Sequence, residues 1–296
     1  EGSARSLLPC TWIAACLPLL WAGCAPPVAA PGADAPQRIV SLAPSLTEIL
    51  FAIGAGGRVV GRTDVCNHPA AAANLPVVGG FGRPSLEGLA ALRPTHVWYV
   101  DLEDQGLPAL FARLGWSGGR IPCNRLDDIP AAVAALGART GCDAAAARLA
   151  EELRGGIAAR RADAARGEAQ PSVLVVVWWE PLMTVGRDSF IADIVALAGG
   201  RLVTAGIARD YFTVSDEWAL RQNPEVILCI DGAPPGAALA RLRATTGWRA
   251  LDAVARGLVY DTFDLDVLCR PGPRVLAAAD QVRAVLYPED QAGPGR

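Results

Sequence analysis

DAAAARLAEELRGGIAARRADAARG, residues 143–167, sits in the middle of a 296-residue chain and decides how the rest is arranged. Alanine, leucine, arginine and glutamate dominate it, and these are strong helix formers. Asp143 stands at its start, where a carboxylate can accept hydrogen bonds from the unpaired N–H groups of a first helical turn. The stretch predicts one long helix. Leu149, Leu153 and Ile157 recur every fourth residue as a narrow apolar stripe, while Arg148, Glu151, Glu152, Arg154, Arg160 and Arg161 cover the other faces, so the helix lies on a surface. At a rise of 1.5 Å per residue it is about 36 Å long, enough to run along two lobes and set their spacing. Gly155-Gly156 is its weak point, since each glycine costs about 1 kcal/mol relative to alanine and a bend or break would fall there.

The composition is globular, 52% hydrophobic and 19% charged, and long enough for one large or two ordinary domains. A net charge of −3 offers nothing to a nucleic acid. His68 and His96 are the only histidines, which leaves little for a histidine metal site or an imidazole base. Leu7 to Trp21 is an apolar run behind Arg5, of a length that suits a signal-peptide core; a membrane span needs about 20 residues. It leads into Leu20-Trp-Ala-Gly-Cys24, which resembles a bacterial lipobox with Trp21 where leucine is usual. Lipidation is expected at Cys24, and with it export to the periplasm or cell surface. Residues 1–24 are then a leader, and residues 25–37, rich in Pro, Ala and Gly, a flexible tether. Of eight cysteines, five lie beyond this region: Cys66, Cys123, Cys142, Cys229 and Cys269. They show no CxxC spacing, which argues against zinc, and an exported compartment permits disulfides, with Cys66–Cys123 and Cys229–Cys269 as candidate pairs.

On either side of the central helix, strands and helices alternate. Arg38 to Pro44 reads as a strand ending at a proline turn, and Ser45 with Glu48 three residues later has the spacing of a capping box opening a helix. Arg58–Thr63 and Thr95–Val100 are further strands. In the second half, Val173 to Trp178 is a nearly continuous apolar strand, Ser189 to Leu197 a helix, Glu225 to Ile230 a strand, Phe263 to Pro273 a loop and Arg274 to Leu286 a closing helix. The pattern predicts α/β architecture with parallel sheets covered by helices.

The two halves also correspond. Ser85-Leu-Glu87 is followed seven residues after the glutamate by Pro94 and a strand, and Ser215-Asp-Glu217 is followed at the same distance by Pro224 and a strand. In each copy the serine can cap and the glutamate suits the positive end of a helix. Taken together, the copies suggest one acidic knob on each lobe, suited to a two-fold symmetric partner bearing arginines.

With these motifs in view, the chain resembles the periplasmic binding proteins of ABC importers for cobalamin, haem and iron-siderophores, most closely the cobalamin branch. The carriers are Arg38–Leu50, the Asp64–Pro69 loop, Ser85–Pro94, Thr184–Phe190 with Ala198–Gly200, Val214–Glu217 and Arg270–Arg274. The resemblance implies two Rossmann-like lobes, 38–142 and 168–290, joined by the single long helix 143–167, with the ligand in the cleft between them and residues 291–296 as a tail. It implies that Glu87 and Glu217 dock on the two subunits of an ABC permease dimer. It also implies a monomeric carrier rather than an enzyme, with no cofactor of its own, cobalamin or a related iron chelate being cargo. No P-loop, no GxGxxG after the first strand and no HExxH motif points elsewhere.

The same resemblance brings the strand-to-helix loops to the cleft, and with them Pro44, Ser45, Cys66, Asn67, His68, Phe81, Tyr99, Trp179, Met183, Tyr211, Asp266 and Arg270. A flat macrocycle needs aromatic faces and a few polar groups at its rim. Phe81 and Tyr211 fall where cobalamin binders of this family place tryptophans. Trp178 closes an apolar strand and is expected in the core, so alternation sends Trp179 towards the ligand; Trp98, Trp218 and Trp248 are expected to pack. His68 lies in a loop where it could meet a ligand or bind the iron of a haem, with a surface or loop-stabilising role as the default.

Overall fold

The computed structural model describes residues 36–167 and 170–288. The leader, Cys24, the tether before residue 36 and the tail lie outside the described residues. In chain order the first half contains β1 (Ile39–Ser41), α1 (Pro44–Ala52), β2 (Val59–Arg62), α2 (Ala70–Ala73), β3 (Gly79–Gly80), β4 (Arg83–Pro84), α3 (Leu86–Leu92), β5 (His96–Tyr99), α4 (Leu107–Arg113), β6 (Ser117–Arg120) and α5 (Asp128–Thr140). Helix α6 (Asp143–Arg166) follows. The second half contains β7 (Ser172–Val176), β8 (Trp178–Trp179), β9 (Leu182–Val185), α7 (Phe190–Leu197), β10 (Arg201–Leu202), β11 (Tyr211–Thr213), α8 (Asp216–Gln222), β12 (Val226–Cys229), α9 (Ala237–Ala244), α10 (Asp252–Ala255), β13 (Val259–Tyr260), α11 (Leu265–Leu268) and α12 (Val275–Leu286).

Each half builds a four-stranded parallel sheet, ordered β2-β1-β5-β6 in the first and β10-β7-β12-β13 in the second. In both, the first strand of the half lies at the centre beside the strand that follows the Ser-x-Glu helix. The helices repeat in detail. Ser85 Oγ accepts from Gly88 N at 3.1 Å and Ser215 Oγ from Trp218 N at 3.2 Å. Each helix ends in a left-handed residue, Arg93 (φ 45°) or Asn223 (φ 41°), before a buried proline that cannot continue a helix.

Both faces of each sheet are buried, as parallel sheets require. Ile39, Val173 and Val175 point into a cluster that also takes in α1, α5, α6, α7 and α12, while Val40 and Val97, or Leu174 and Val176, point into separate outer clusters. Helix α6 links the lobes through this shared inner cluster, its stripe carried by Ala146, Ala150, Leu153 and Ile157, with Leu149 only half-buried. It is unbroken at Gly155-Gly156. A Cβ on Gly156 would stand 2.4 Å from Leu276 Cδ1, so that glycine lets α12 approach, whereas Gly155 faces open space. Gly137 serves the α5–α6 contact similarly, with Ala146 Cβ at 2.2 Å from where its own would be.

Several local expectations are corrected. Cys142, not Asp143, is the N-cap of α6, and Asp143 is the first helical residue. Helix α1 starts at Pro44, with Ala43 as N-cap and no side-chain capping bond, because proline has no N–H to satisfy and fits the first helical position. Ser45 and Glu48 are therefore inside the helix and form no capping box. The strand from Val173 ends at Val176, and the 263–273 loop contains α11. Strand β6, Ser-Gly-Gly-Arg, has no apolar signature; Gly118 at φ 122° is required because a Cβ there would lie 2.2 Å from Val97 O. The candidate disulfides are absent, and all five cysteines in the described residues are free thiols. Cys66 Sγ lies 3.0 Å from Thr63 Oγ1, and Cys123 Sγ donates to Pro271 O at 2.9 Å.

The packing predicts opposite signs for two helix glycines. Gly155→Ala should raise unfolding stability by about 1 kcal/mol through helix propensity. Gly137→Ala should lower it by about 2 kcal/mol by overpacking against Ala146. Urea denaturation of both variants checks this.

Candidate functional site

In a parallel sheet all strand-to-helix loops leave from one end, and here those ends face each other. Asn67, in the loop after β2, donates through Nδ2 to Asp266 Oδ2 at 2.6 Å and accepts at Oδ1 from Arg270 Nη1 at 2.7 Å. Arg270 also pairs with Asp266 at 2.5 Å. Deeper in the seam, Glu48 of α1 has a side chain only 3% exposed and receives both arms of Arg274, at 2.8 and 2.6 Å, with Arg270 at 3.5 Å. Hydrogen bonding to Glu48 is the main reason that the pKa of Arg274 is raised above the ordinary guanidinium value. A second tie closes the back of the seam. Arg125 grips Asp193 of α7 through two bonds, at 2.8 and 2.6 Å, and Leu126 N donates to the same carboxylate at 3.0 Å.

The predicted site residues separate into three groups. Cys66 and Tyr99 are buried and occupied in packing: Cys66 is beside Thr63, and Tyr99 stacks edge-on against Phe111 with centroids 6.4 Å apart. Neither presents its face to a ligand, because each lies where the strand end is already covered by a helix or loop. Burial also pushes the Tyr99 phenol above its usual pKa. Ser45, Asn67, Asp266 and Arg270 are in the seam; Ser45 packs against Gly272 with Cα 3.7 Å from the position of a Cβ there. Pro44 and Met183 are half-buried, and His68, Phe81 and Tyr211 are exposed, Phe81 by 49% and Tyr211 by 48%. Burial first, then the charges of Asp210 and Cys269, push the Tyr211 phenol up to about 12.

The two adjacent tryptophans exchange their expected roles. Trp179 is packed against Trp248, with centroids 6.0 Å apart, and its Nε1 donates to Asp231 at 2.8 Å; Arg241 covers its ring at 5.0 Å. Trp178 is 55% exposed. The cause is the end of β7 at Val176: Val177 intervenes and a new antiparallel hairpin begins, so the alternation of the parallel strand does not carry through. Trp98 and Trp248 are buried as expected, and Trp218 is half-buried.

Glu48 is the residue the sequence reading assigned to another task. Its capping-box spacing hid a buried carboxylate whose partners are more than 200 positions away in the chain, at |i−j| 226 for Arg274. Gly115-Trp-Ser-Gly-Gly119 has the spelling of a hydrolase nucleophile elbow, but Ser117 opens edge strand β6 instead of a sharp strand-to-helix turn. Glu87 and Glu217 are exposed in the first turns of α3 and α8. The Glu217 carboxyl is held below the usual range by its own backbone N–H and then by the Ser215 hydroxyl.

The sequence pattern of the periplasmic binding protein family matches residues 39–264, spanning both sheets and the helix between them. The chain belongs to that family. A vitamin B12-binding protein of Pectobacterium carotovorum is 28% identical over 254 residues, covering 85% of this chain and 88% of the relative. An uncharacterized ABC transporter substrate-binding lipoprotein of Bacillus subtilis is 25% identical over 261 residues, covering 86% and 81%. Among solved structures, a periplasmic heme-binding protein from Roseiflexus sp. RS-1 superposes with a TM-score of 0.75 at 25% identity, covering 86% of this chain and 99% of that one. As a member of that family the chain is a solute-binding protein, not an enzyme, and its relatives include proteins named for vitamin B12 binding and for heme uptake.

The seam predicts a large difference between charges of similar appearance. Glu48→Ala should cost about 3–5 kcal/mol, because Arg274 and Arg270 lose the carboxylate that balances their partly buried charge. Arg83→Ala, which breaks an exposed 2.7 Å pair with Glu103, should cost less than about 1 kcal/mol. Chemical denaturation separates the two.

Proposed function

We propose that this protein captures a corrinoid, cobalamin first, in the cleft between its lobes and hands it to an ABC permease. The observation that carries the choice of ligand is that four guanidinium groups on the facing loops are already matched. Arg270 and Arg274 are held by Glu48 and Asp266, Arg120 by Asp101 at 3.1 Å and Arg83 by Glu103 at 2.7 Å. Haem brings propionate carboxylates that need free cations, whereas the corrin rim carries mostly neutral amides. Such a rim suits Asn67, Asp266 and backbone groups without breaking a salt bridge. Similarity to a vitamin B12-binding protein supports the same reading.

Haem capture is the second reading, favoured by His68 and Tyr211 exposed on the facing loops and by the haem-binding relatives. On this proposal lipidation at Cys24 tethers the protein outside the cytoplasm, and the protein acts as a monomer. Glu87 and Glu217, at equivalent helix starts of the two lobes, engage the two permease subunits. The lowered pKa of Glu217 keeps that knob ionised as pH falls below the ordinary carboxylate range.

Parallel calorimetric titrations with cyanocobalamin and haemin test the ligand: one-to-one binding of cobalamin is expected, and binding of haemin alone would replace this reading. The double variant Glu87→Ala/Glu217→Ala should keep ligand affinity and lose uptake in cells carrying the permease. Undiminished uptake would refute the docking role.

A further inference from the structure

Arg62 ends β2, an edge strand, and is buried, with 9% of the residue exposed. A guanidinium taken out of water is costly unless its charge is answered, and at such depth the usual answer is a carboxylate. Here the answer is main chain. Arg62 Nη1 donates to Thr63 O at 3.0 Å and to Asp64 O at 3.2 Å, Nη2 donates to Ala73 O at 2.5 Å, and Nε has no partner among the described residues. All of these acceptors belong to one loop. Thr63 and Asp64 lie where it leaves β2, and Ala73 is the last residue of α2, where a helix leaves its carbonyls open. The planar fork of an arginine spans both ends at once, which a single ammonium does not.

The loop closed in this way carries an interlobe contact at its tip. Cys66 N donates to Thr63 O at 3.1 Å, the same carbonyl that Arg62 holds, and Cys66 Sγ is 3.0 Å from Thr63 Oγ1. The residue before Asn67 is therefore fixed to the clasped end. Asn67 itself reaches the other lobe, donating to Asp266 Oδ2 at 2.6 Å and accepting from Arg270 Nη1 at 2.7 Å. Both of these side-chain bonds leave the loop, so the place of the amide depends on the backbone beneath it.

We infer that Arg62 is a positioning residue of the cleft. By clasping both ends of loop 63–73 it sets where Asn67 meets Asp266 and Arg270, and so holds this part of the seam in register for the ligand. Its effect on the seam stands on the hydrogen bonds alone; its effect on ligand affinity rests on the cleft reading proposed above.

Amide hydrogen exchange of the full chain without ligand compares the wild type with Arg62→Gln, Asn67→Ala and the double variant. Arg62→Gln should speed exchange about tenfold in residues 63–73 and about threefold or more in residues 265–270, across the seam. In the Asn67→Ala background the same change should leave residues 265–270 within about twofold, because the contact that transmits the effect is already gone. Loosening confined to residues 63–73, or an equal rise in 265–270 with and without Asn67, overturns the positioning role. If Arg62→Gln unfolds, Arg62→Lys, which keeps the charge without the fork, takes its place at the same thresholds; unfolding of both overturns the inference, since the residue then holds the lobe and not the loop. Calorimetry with cyanocobalamin reads the cleft. Arg62→Gln should weaken binding about fivefold or more in the otherwise native chain and no further in Asn67→Ala. An affinity unchanged within about twofold, or an equal loss in both backgrounds, overturns the role in binding. If the wild type does not bind cyanocobalamin, the corrinoid reading falls and the exchange comparison alone decides the positioning role.

Discussion

The contact on which the cleft depends is the buried pairing of Glu48 with Arg274 and Arg270. A carboxylate with 3% of its side chain exposed is strongly destabilising unless its charge is answered, and both answers come from the segment at the far end of the chain. Asn67 and Asp266 extend the pairing towards solvent, and Arg125 with Asp193 closes it behind. The lobes therefore meet through directional bonds of fixed length, while α6 joins their apolar cores through an undivided cluster. An ionic seam on one side and a continuous helix on the other leave little freedom for the lobes to separate. That suits a carrier whose site is largely preformed.

On the proposed reading the seam also bears on ligand choice, because Arg270 and Arg274, placed to hold the lobes, are already paired with Asp266 and Glu48. In both lobes the parallel sheets have the same strand order and the same Ser-capped helix before the third strand, which is why Glu87 and Glu217 occupy equivalent positions.

Much of this architecture was legible in the residues because it depends on local causes. Helix formers from 143 onwards specify α6, the nearly continuous apolar run from Val173 specifies a strand buried on both faces, and Ser85 and Ser215 specify helix starts at matching places. Glycine at 156 read as a weakness because only its local propensity was visible; its use is the approach of α12 at Leu276. Strand β6 went unread since its glycines carry no hydrophobic period.

What the sequence alone determined was therefore the kind of fold, the repeat and the two acidic knobs, all of which follow from propensity, periodicity and capping within about ten residues. Tertiary structure decided which side chains face the cleft. Whether Trp178 or Trp179 points outward depends on where β7 stops and the hairpin begins, and Glu48 changed from a capping residue to an interlobe clamp because Arg274, at |i−j| 226, folds back onto it. Facing is a property of register and long-range pairing, and a one-residue shift in a strand sends every side chain to the opposite side.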